Sequence, residues 1–296
     1  MTPLERLDRY LRGEHGRSAA TRSAYMADAG LLLTLAGDTD LAALGSKDIR
    51  GFVRRMNSQG HDPRSIARRL SAWRAWFKLL MREAGFAHNP VEGIKAPRAA
   101  RKLPRPVGVD EAMGFLDNLT DTDPLARRDR AMYELAYSSG LRVSELVGVD
   151  CEDFRDAGAT LQVLGKGGKV RLVPVGEMAI HTIQDWLQDR ASLPQTGDAA
   201  LFLNRFGRRM STRAVQLRLA EWSVKLGLPD HLHPHRLRHA CASHFLQGSQ
   251  DLRATQELLG HASIATTQVY TLLDFQHLAA VYDSAHPRAQ DKDGAE

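Results

Sequence analysis

The sequence predicts a mainly α protein with a small β-sheet, organised as two domains. Three observations predict it. Apolar residues recur at helical spacing through most of the chain, with cap and stop residues at the ends of each run. One short stretch, residues 159–175, instead holds two β-prone runs around a Gly-rich turn. Between the two regions, Lys95–Val107 has three prolines, five basic residues and few large apolar groups, the composition of an extended linker. The expected organisation is a four-helix domain over residues 1–95, a linker over 96–106 and a mixed α+β domain over 107–296.

The first helix is expected over Pro3–Glu14. A second covers Ala19–Ala36, with Ser18 as its cap and Gly37 as its stop. Ser46 is placed to cap a third, which ends near Gly60. Asp62-Pro63, a cap residue followed by proline at the first helical position, opens the fourth. There Ile66, Leu70, Trp73, Phe77 and Leu80 form a buried stripe. Trp73 and Trp76 are assigned to the core rather than to base stacking. Beyond the linker, Asp110 is placed to cap a short helix. Asp123-Pro124 opens a clearer one through Tyr137, broken by Gly140. LRVSELVG begins another and carries Arg142 and Glu145. ATLQVL and KVRLVPV then pair around Gly165-Lys166-Gly167-Gly168, with Lys166 at the tip. Glu177–Ala191 reads as a helix, LFLN at 201–204 as a short strand, and Ser211 as the cap of a helix to Leu226.

The stretch from His233 to Tyr270 concentrates the chemistry. Pro234 suits a first helical turn, where its missing N–H costs nothing. His235, Arg238, His239 and Ala242 then share one helical face. Gly260 closes the following helix, LRATQELL, in the left-handed position, and His261 comes next. Ser263 caps one more short helix with Tyr270 near its end. Residues 273–285 form a further amphipathic helix, and a polar tail is expected from His286.

Charge divides the chain unevenly. Residues 1–106 hold 20 Lys and Arg against 10 Asp and Glu, a net +10, whereas the remainder holds 20 against 25, a net −5. A basic first third points to a polyanion, most simply nucleic acid. Arg54, Arg55, Arg64, Arg68, Arg69 and the linker's Lys102 are the candidate phosphate contacts, with Arg50, Arg74 and Lys78 beside them. No apolar run approaches a membrane span, and the charged N-terminus is no signal peptide, so a cytoplasmic protein without membrane insertion is expected. Cys151 and Cys241 are not expected to pair.

Arginine offers phosphate a planar, permanently charged fork, so Arg142 and Arg238 can together stabilise a pentacoordinate state without a metal. Tyr270 is a plausible nucleophile, a histidine can take its proton, and Lys166 can protonate a leaving alkoxide. No cofactor is expected. The run His231, His233, His235, His239, His244 invites a zinc reading, but it lacks an H-E-x-x-H pattern and a nearby Cys pair. Taken singly, each residue also has a plainer reading as an ion pair, a packing group or an exposed turn.

Order and spacing discriminate where single residues do not. GLRVSEL at 140–146, GKGGKVRLVPV at 165–175, HPHRLRH at 233–239 and LLGHASIATTQVY at 258–270 resemble, in order, the four motifs of the tyrosine recombinases, and within them the bacterial Xer recombinases. The resemblance spans essentially the whole chain, and the tail LDFQHLAAVYDSAHPRA is more similar to the XerC than to the XerD branch. One departure is Leu272, where XerC-like chains often have histidine. The resemblance implies a SAM-like N-terminal core-binding domain and a C-terminal catalytic domain that clamp a duplex between them. It implies that Arg142, Lys166, His235, Arg238 and His261 activate the phosphate, that Glu145 supports them, and that Tyr270 forms a 3′-phosphotyrosyl link. It further implies a dif-like double-stranded DNA site, a XerD-like partner in a heterotetramer and an FtsK-like translocase, acting on chromosome or plasmid dimers at cell division. It also raises the expectation that Asp274–Ser284 docks on a neighbouring protomer, the alternative being packing on its own domain. A phage or transposon integrase and a type IB topoisomerase share the chemistry, and a silent architectural DNA-binding protein shares the charge. The XerC-like tail, the absence of an added arm-binding domain, the Xer-like N-terminal region and the complete motif set favour the Xer reading.

Overall fold

A computed structural model describes residues 2–13, 19–98, 107–120, 123–165, 168, 170–194, 196–228, 232–260 and 272–289. The chain divides into two compact units, Met1–Leu103 and Pro104–Glu296, each with its own core. Lys102, Lys166, His231, His261, Ser263 and Tyr270 lie outside the described residues.

The first unit comprises α1 (Pro3–Gly13), α2 (Ala19–Ala36), α3 (Ser46–Ser58) and α4 (Pro63–Ala84). Helix α4 starts where its sequence dictates. The Asp62 carboxylate accepts from the N–H groups of Arg64 at 2.6 Å and Ser65 at 3.3 Å, satisfying donors that the first turn leaves unpaired. Its stripe is fully buried, with Trp73, Trp76 and Phe77 all at 0% exposure. Both indole N–H groups are spent on backbone carbonyls, Trp73 on Asp28 and Trp76 on Pro3, so they belong to the core. Helix α3 is capped one residue earlier than expected. Gly45 is the N-cap, and the Asp48 carboxylate reaches back to its N–H at 2.9 Å.

The second unit contains α5 (Val109–Asp117), α6 (Pro124–Ser138), α7 (Val143–Gly148), α8 (Glu177–Arg190), α9 (Thr212–Lys225), α10 (Pro234–Ser249), α11 (Leu252–Leu259) and α12 (Leu272–Ala285). Here too an expected cap shifts: Gly108 precedes α5 and Asp110 lies within its first turn. An antiparallel sheet is formed by β1 (Phe154–Arg155), β2 (Thr160–Leu164) and β3 (Val170–Pro174) in the order β1-β2-β3. Register pairs Leu161 with Val173 and Val163 with Arg171, so these four share one face and all are buried. Residues 201–204 do not form the expected strand; Ala200 and Leu203 make only isolated bridges, to Asp150 and Arg209.

The C-terminal segment corrects another expectation. It is no polar tail through Ala289. His286 stacks on Tyr282 at 4.6 Å between ring centroids, and Arg288 bonds to Asp117 and lies 3.1 Å from Glu134. Leu278 and Tyr282 of α12 are buried within the second unit, so in this single chain the helix packs on its own domain. Among the described residues, no helix is long and apolar enough to cross a membrane.

Candidate active site

Three elements of the second unit, α7, β3 and α10, converge on the Glu145 carboxylate. Residue Arg142 is the N-cap of α7 and Glu145 its third residue, so one short helix holds both. Glu145 Oε2 accepts from the Arg142 N–H at 2.9 Å, while Oε1 accepts from Arg142 Nη1 at 2.7 Å. Strand β3 supplies Arg171, whose Nη1 and Nη2 donate to Oε1 and Oε2, each at 3.0 Å. Helix α10 supplies Arg238, whose Nη1 lies 3.8 Å from Oε2. Arg238 is held instead by carbonyls: Nη1 donates to Gly140, and Nη2 to Leu259 at 2.5 Å, at the end of α11.

Three guanidinium groups thus face one carboxylate, leaving the cluster with net charge +2 among the described residues. The pKa shifts follow from burial and from these contacts. Burial would raise the Glu145 pKa, but hydrogen bonds from Arg171 and Arg142 outweigh it and hold the carboxyl below its ordinary value. Arg238 is lowered to about 10, first by burial and then by the neighbouring Arg142 charge. Excess positive charge inside a poorly solvated site favours an anion. Arg142, 40% exposed against 7% for Arg238, is the guanidinium most open to it.

The structure therefore brings Arg142, Glu145 and Arg238 together. The expected common face of α10 is not uniform: His235 and His239 are exposed, whereas Arg238 is buried, because it sits at the edge of that face turned toward Gly140 and Leu259. Arg171 is the member that the sequence reading missed. Its signal was available: in a strand whose alternate residue Val173 faces the core, Arg171 occupies the same inward face, where a cation needs an anionic partner.

The histidine run is dispersed. The rings of His233 and His235 stack at 6.5 Å between centroids. His244 is buried between the Tyr137 hydroxyl at 2.8 Å and the Val107 carbonyl at 3.0 Å. A carbonyl only accepts, so Nε2 carries the proton and Nδ1 accepts from Tyr137. No group of three or more metal-ligating side chains occurs among the described residues. Cys151 is exposed, and Cys241 is buried with its thiol pushed up to about 12 by burial.

Of the candidate phosphate contacts in the first unit, Arg54, Arg55 and Arg64 are exposed, as is Arg50. Two others are already engaged. Arg68 bonds to the buried Asp28, and Arg69, only 14% exposed, lies 3.8 Å from the same carboxylate and donates to the Met56 sulfur at 3.2 Å. Burial raises the Asp28 pKa even beside these two cations. Arg74 donates to the carbonyls of Ile94 and Val91, tying the chain after α4 to that helix.

Residues 107–277 match the phage integrase family, and residues 4–84 match the phage integrase N-terminal SAM-like domain. The chain is 49% identical over 290 residues to tyrosine recombinase XerC of Pseudomonas aeruginosa (strain LESB58), covering 97% of this chain and 95% of that one. It is 46% identical to tyrosine recombinase XerC of Salmonella typhi, covering 97% and 96%. Its fold is shared by the Tn1549 transposon integrase in complex with circular intermediate DNA, with TM-score 0.69 and 19% identity over 94% of this chain and 98% of that one. It is also shared by XerH site-specific recombinase bound to palindromic difH substrate, with TM-score 0.67 and 21% identity over 95% and 84%.

Proposed function

The chain belongs to the phage integrase family of tyrosine recombinases, and on that basis we propose that it is a site-specific recombinase that cuts and rejoins double-stranded DNA through a covalent 3′-phosphotyrosyl intermediate. The observation that carries the reading is the cluster itself: Arg142, bonded to Glu145, and Arg238, 3.8 Å from the same carboxylate, come from two separate elements and with Arg171 outnumber that anion among the described residues. Two such guanidiniums can hold the nonbridging oxygens of a phosphodiester and stabilise the charge that builds up in a pentacoordinate state.

In this reading Tyr270 attacks the scissile phosphorus and its oxygen replaces the 5′-oxygen of the leaving strand. Lys166 protonates that oxygen, while His235 and His261 assist proton transfer and charge stabilisation. The 5′-hydroxyl of a second strand then attacks the phosphotyrosine and releases the enzyme. One phosphodiester replaces another, so the chemistry needs no external energy source. Residues 1–95 and 107–296 both bind the duplex, joined by the basic segment 96–106; Arg54, Arg55 and Arg64 are free of the Asp28 pairing and suit phosphate contact better than Arg68 or Arg69. High identity to XerC recombinases over nearly the whole chain supports a finer assignment: pairing with a XerD-like recombinase in a heterotetramer at a dif-like site, activation by an FtsK-like translocase, and conversion of chromosome dimers to monomers in the cytoplasm at cell division.

The test is a nicked suicide duplex carrying a dif-like site, incubated with the protein with and without a XerD-like partner. A denaturant-resistant protein–DNA adduct that disappears in Tyr270→Phe is the expected result. Binding without an adduct, even with partner present, would overturn the reading in favour of an architectural DNA-binding protein.

A further inference from the structure

Arg171 stands outside the residues assigned above, and its surroundings give it a task. Each Glu145 oxygen already accepts two hydrogen bonds, one from Arg142 and one from Arg171. A carboxylate has about four such acceptor sites, so this one is filled. Among the described residues the next cation, Arg238, keeps its Nη1 3.8 Å from Oε2 while Nη1 and Nη2 donate to the Gly140 and Leu259 carbonyls. We infer that Arg171 is a positioning residue for the phosphate-binding arginines: by filling one site on each Glu145 oxygen, it fixes the carboxylate for Arg142 and keeps it from closing on Arg238. The inference rests on the recombinase reading of the site.

The rest of its environment is built for that role. The Arg171 side chain is 7% exposed and Glu145 4%, so little water is available to replace a lost partner. A Cβ on Gly260 would lie 2.9 Å from Arg171 Nε and 3.1 Å from its Cζ, so the guanidinium packs directly under that glycine. Gly260 also has φ +61°, which favours glycine on its own account. It immediately precedes His261 in the sequence, and β3 begins four residues after Lys166. Arg171 therefore touches the end of α11, reaches the α7 carboxylate, and sits on the strand that begins four residues after Lys166.

Without Arg171, one acceptor site opens on each Glu145 oxygen. Among the described residues Arg238 and Arg142 are the cations within reach, and a tighter pairing would take positive charge away from the phosphate. The test uses Arg171→Met and Arg171→Lys in the full chain, with the suicide duplex carrying either an ordinary phosphodiester or a neutral methylphosphonate at the scissile position. Arg171→Met is expected to slow adduct formation on the phosphodiester by about 10- to 100-fold, by analogy with the loss when an outer partner that orients a metal ligand is removed. The loss should be clearly smaller on the methylphosphonate, which makes less use of the arginine charges. Arg171→Lys, which keeps the charge but not the fork, should recover only part of the rate. Adding Glu145→Gln to Arg171→Met should also recover part of it, because a neutral amide no longer competes for Arg238. Equal losses on both substrates, full rescue by lysine, or a double variant worse than the single would each overturn the inference, assigning Arg171 to folding or bulk charge alone. Because wild type is assayed alongside, failures are separable: wild type giving no Tyr270-dependent adduct overturns the recombinase reading and this inference with it. An adduct formed equally fast by wild type and Arg171→Met overturns the inference only.

Discussion

Glu145 and Asp129 lie in the same unit, both are buried, and both gather arginines, yet their charge is balanced differently. Asp129 sits on α6 at 0% exposure. It accepts from Arg128 Nη2 at 2.5 Å, Arg218 Nε at 2.7 Å and Trp222 Nε1 at 2.9 Å. The spare donors are then consumed: Arg128 Nη1 bonds to the Leu203 carbonyl and Arg218 Nη1 to Glu221. Among the described residues two cations meet two anions, and the cluster is neutral. At Glu145 three cations meet one anion. The two arginines shift in opposite directions accordingly. Burial lowers both, but Asp129 and Glu221 outweigh it and raise Arg218, whereas Arg142 adds to it at Arg238. Arginines around a buried carboxylate are therefore not in themselves a sign of function. The sign is charge left over with a guanidinium still reaching solvent, as with Arg142.

Breaking the neutral cluster should give the largest change. Asp129→Ala leaves Arg128 buried without its anion and is expected to cost about 3–5 kcal/mol of stability, the usual penalty for splitting a buried pair. Denaturant unfolding reads this directly. Adduct formation per folded molecule should stay near wild type, since no Asp129 partner belongs to the Glu145 cluster. Arg142→Met should do the reverse. Glu145 keeps its bidentate pair with Arg171, so the midpoint of unfolding should move little. The rate of adduct formation should fall by about 10²–10³-fold, roughly 3–4 kcal/mol of transition-state stabilisation. A large stability loss with unchanged rate would place Arg142 in the same class as Arg128.

How far this contrast can be read from sequence depends on the range of the interactions. Local signals were legible. Asp62-Pro63 and Asp123-Pro124 open α4 and α6, Ser211 caps α9, and Gly260 ends α11 with positive φ. Residues Arg142 and Glu145 are three apart on one short helix, so their pairing follows from spacing. What escaped was set by contacts distant in sequence. Arg171 meets Glu145 across 26 residues, and only the register of β2 with β3 puts it on the buried face. His286–Ala289 looks polar, yet Arg288 reaches Asp117 across 171 residues and is buried in doing so. The Arg68 and Arg69 pairing with Asp28 escaped for the same reason: a basic run in one helix says nothing about an acid on another.

Among the described residues of the second unit, Glu134 is a third buried carboxylate and sharpens the comparison. Arg288 Nη2 lies 3.1 Å from its Oε1, but neither oxygen has a hydrogen-bond partner among the described residues. Burial raises its pKa to about 7, with Arg288 and Arg130 opposing. A carboxyl whose folded pKa exceeds its unfolded value of 4.5 stabilises the fold in its neutral form. That contribution is fully present below about pH 4.5 and is lost as pH rises through about 7. Glu145, held low by its hydrogen bonds, has the opposite sign: its contribution is present above its unfolded value and is lost as pH falls through the lower folded one. Glu134→Gln should therefore match wild type near pH 4.5 and exceed it above pH 7 by about 3 kcal/mol, measured as a pH series of denaturant midpoints. A wild-type profile flat between those values would mean that Arg288 fully compensates the charge, making Glu134 an ion pair of the Asp129 kind.

The smallest effect tests whether the neutral cluster is merely scaffold. Ser211 Oγ accepts from the Ala214 N–H at 3.1 Å and opens α9, the helix that presents Arg218 and Trp222 to Asp129. Ser211→Ala removes that cap and should cost about 1 kcal/mol. The loss should appear as a lower unfolding midpoint with no change in adduct rate, because α9 contributes no residue to the Glu145 cluster. A rate that fell in step with stability would show that strain at the Asp129 end reaches the arginines at the other. The two clusters would then have to be treated as one network rather than as a scaffold and a site.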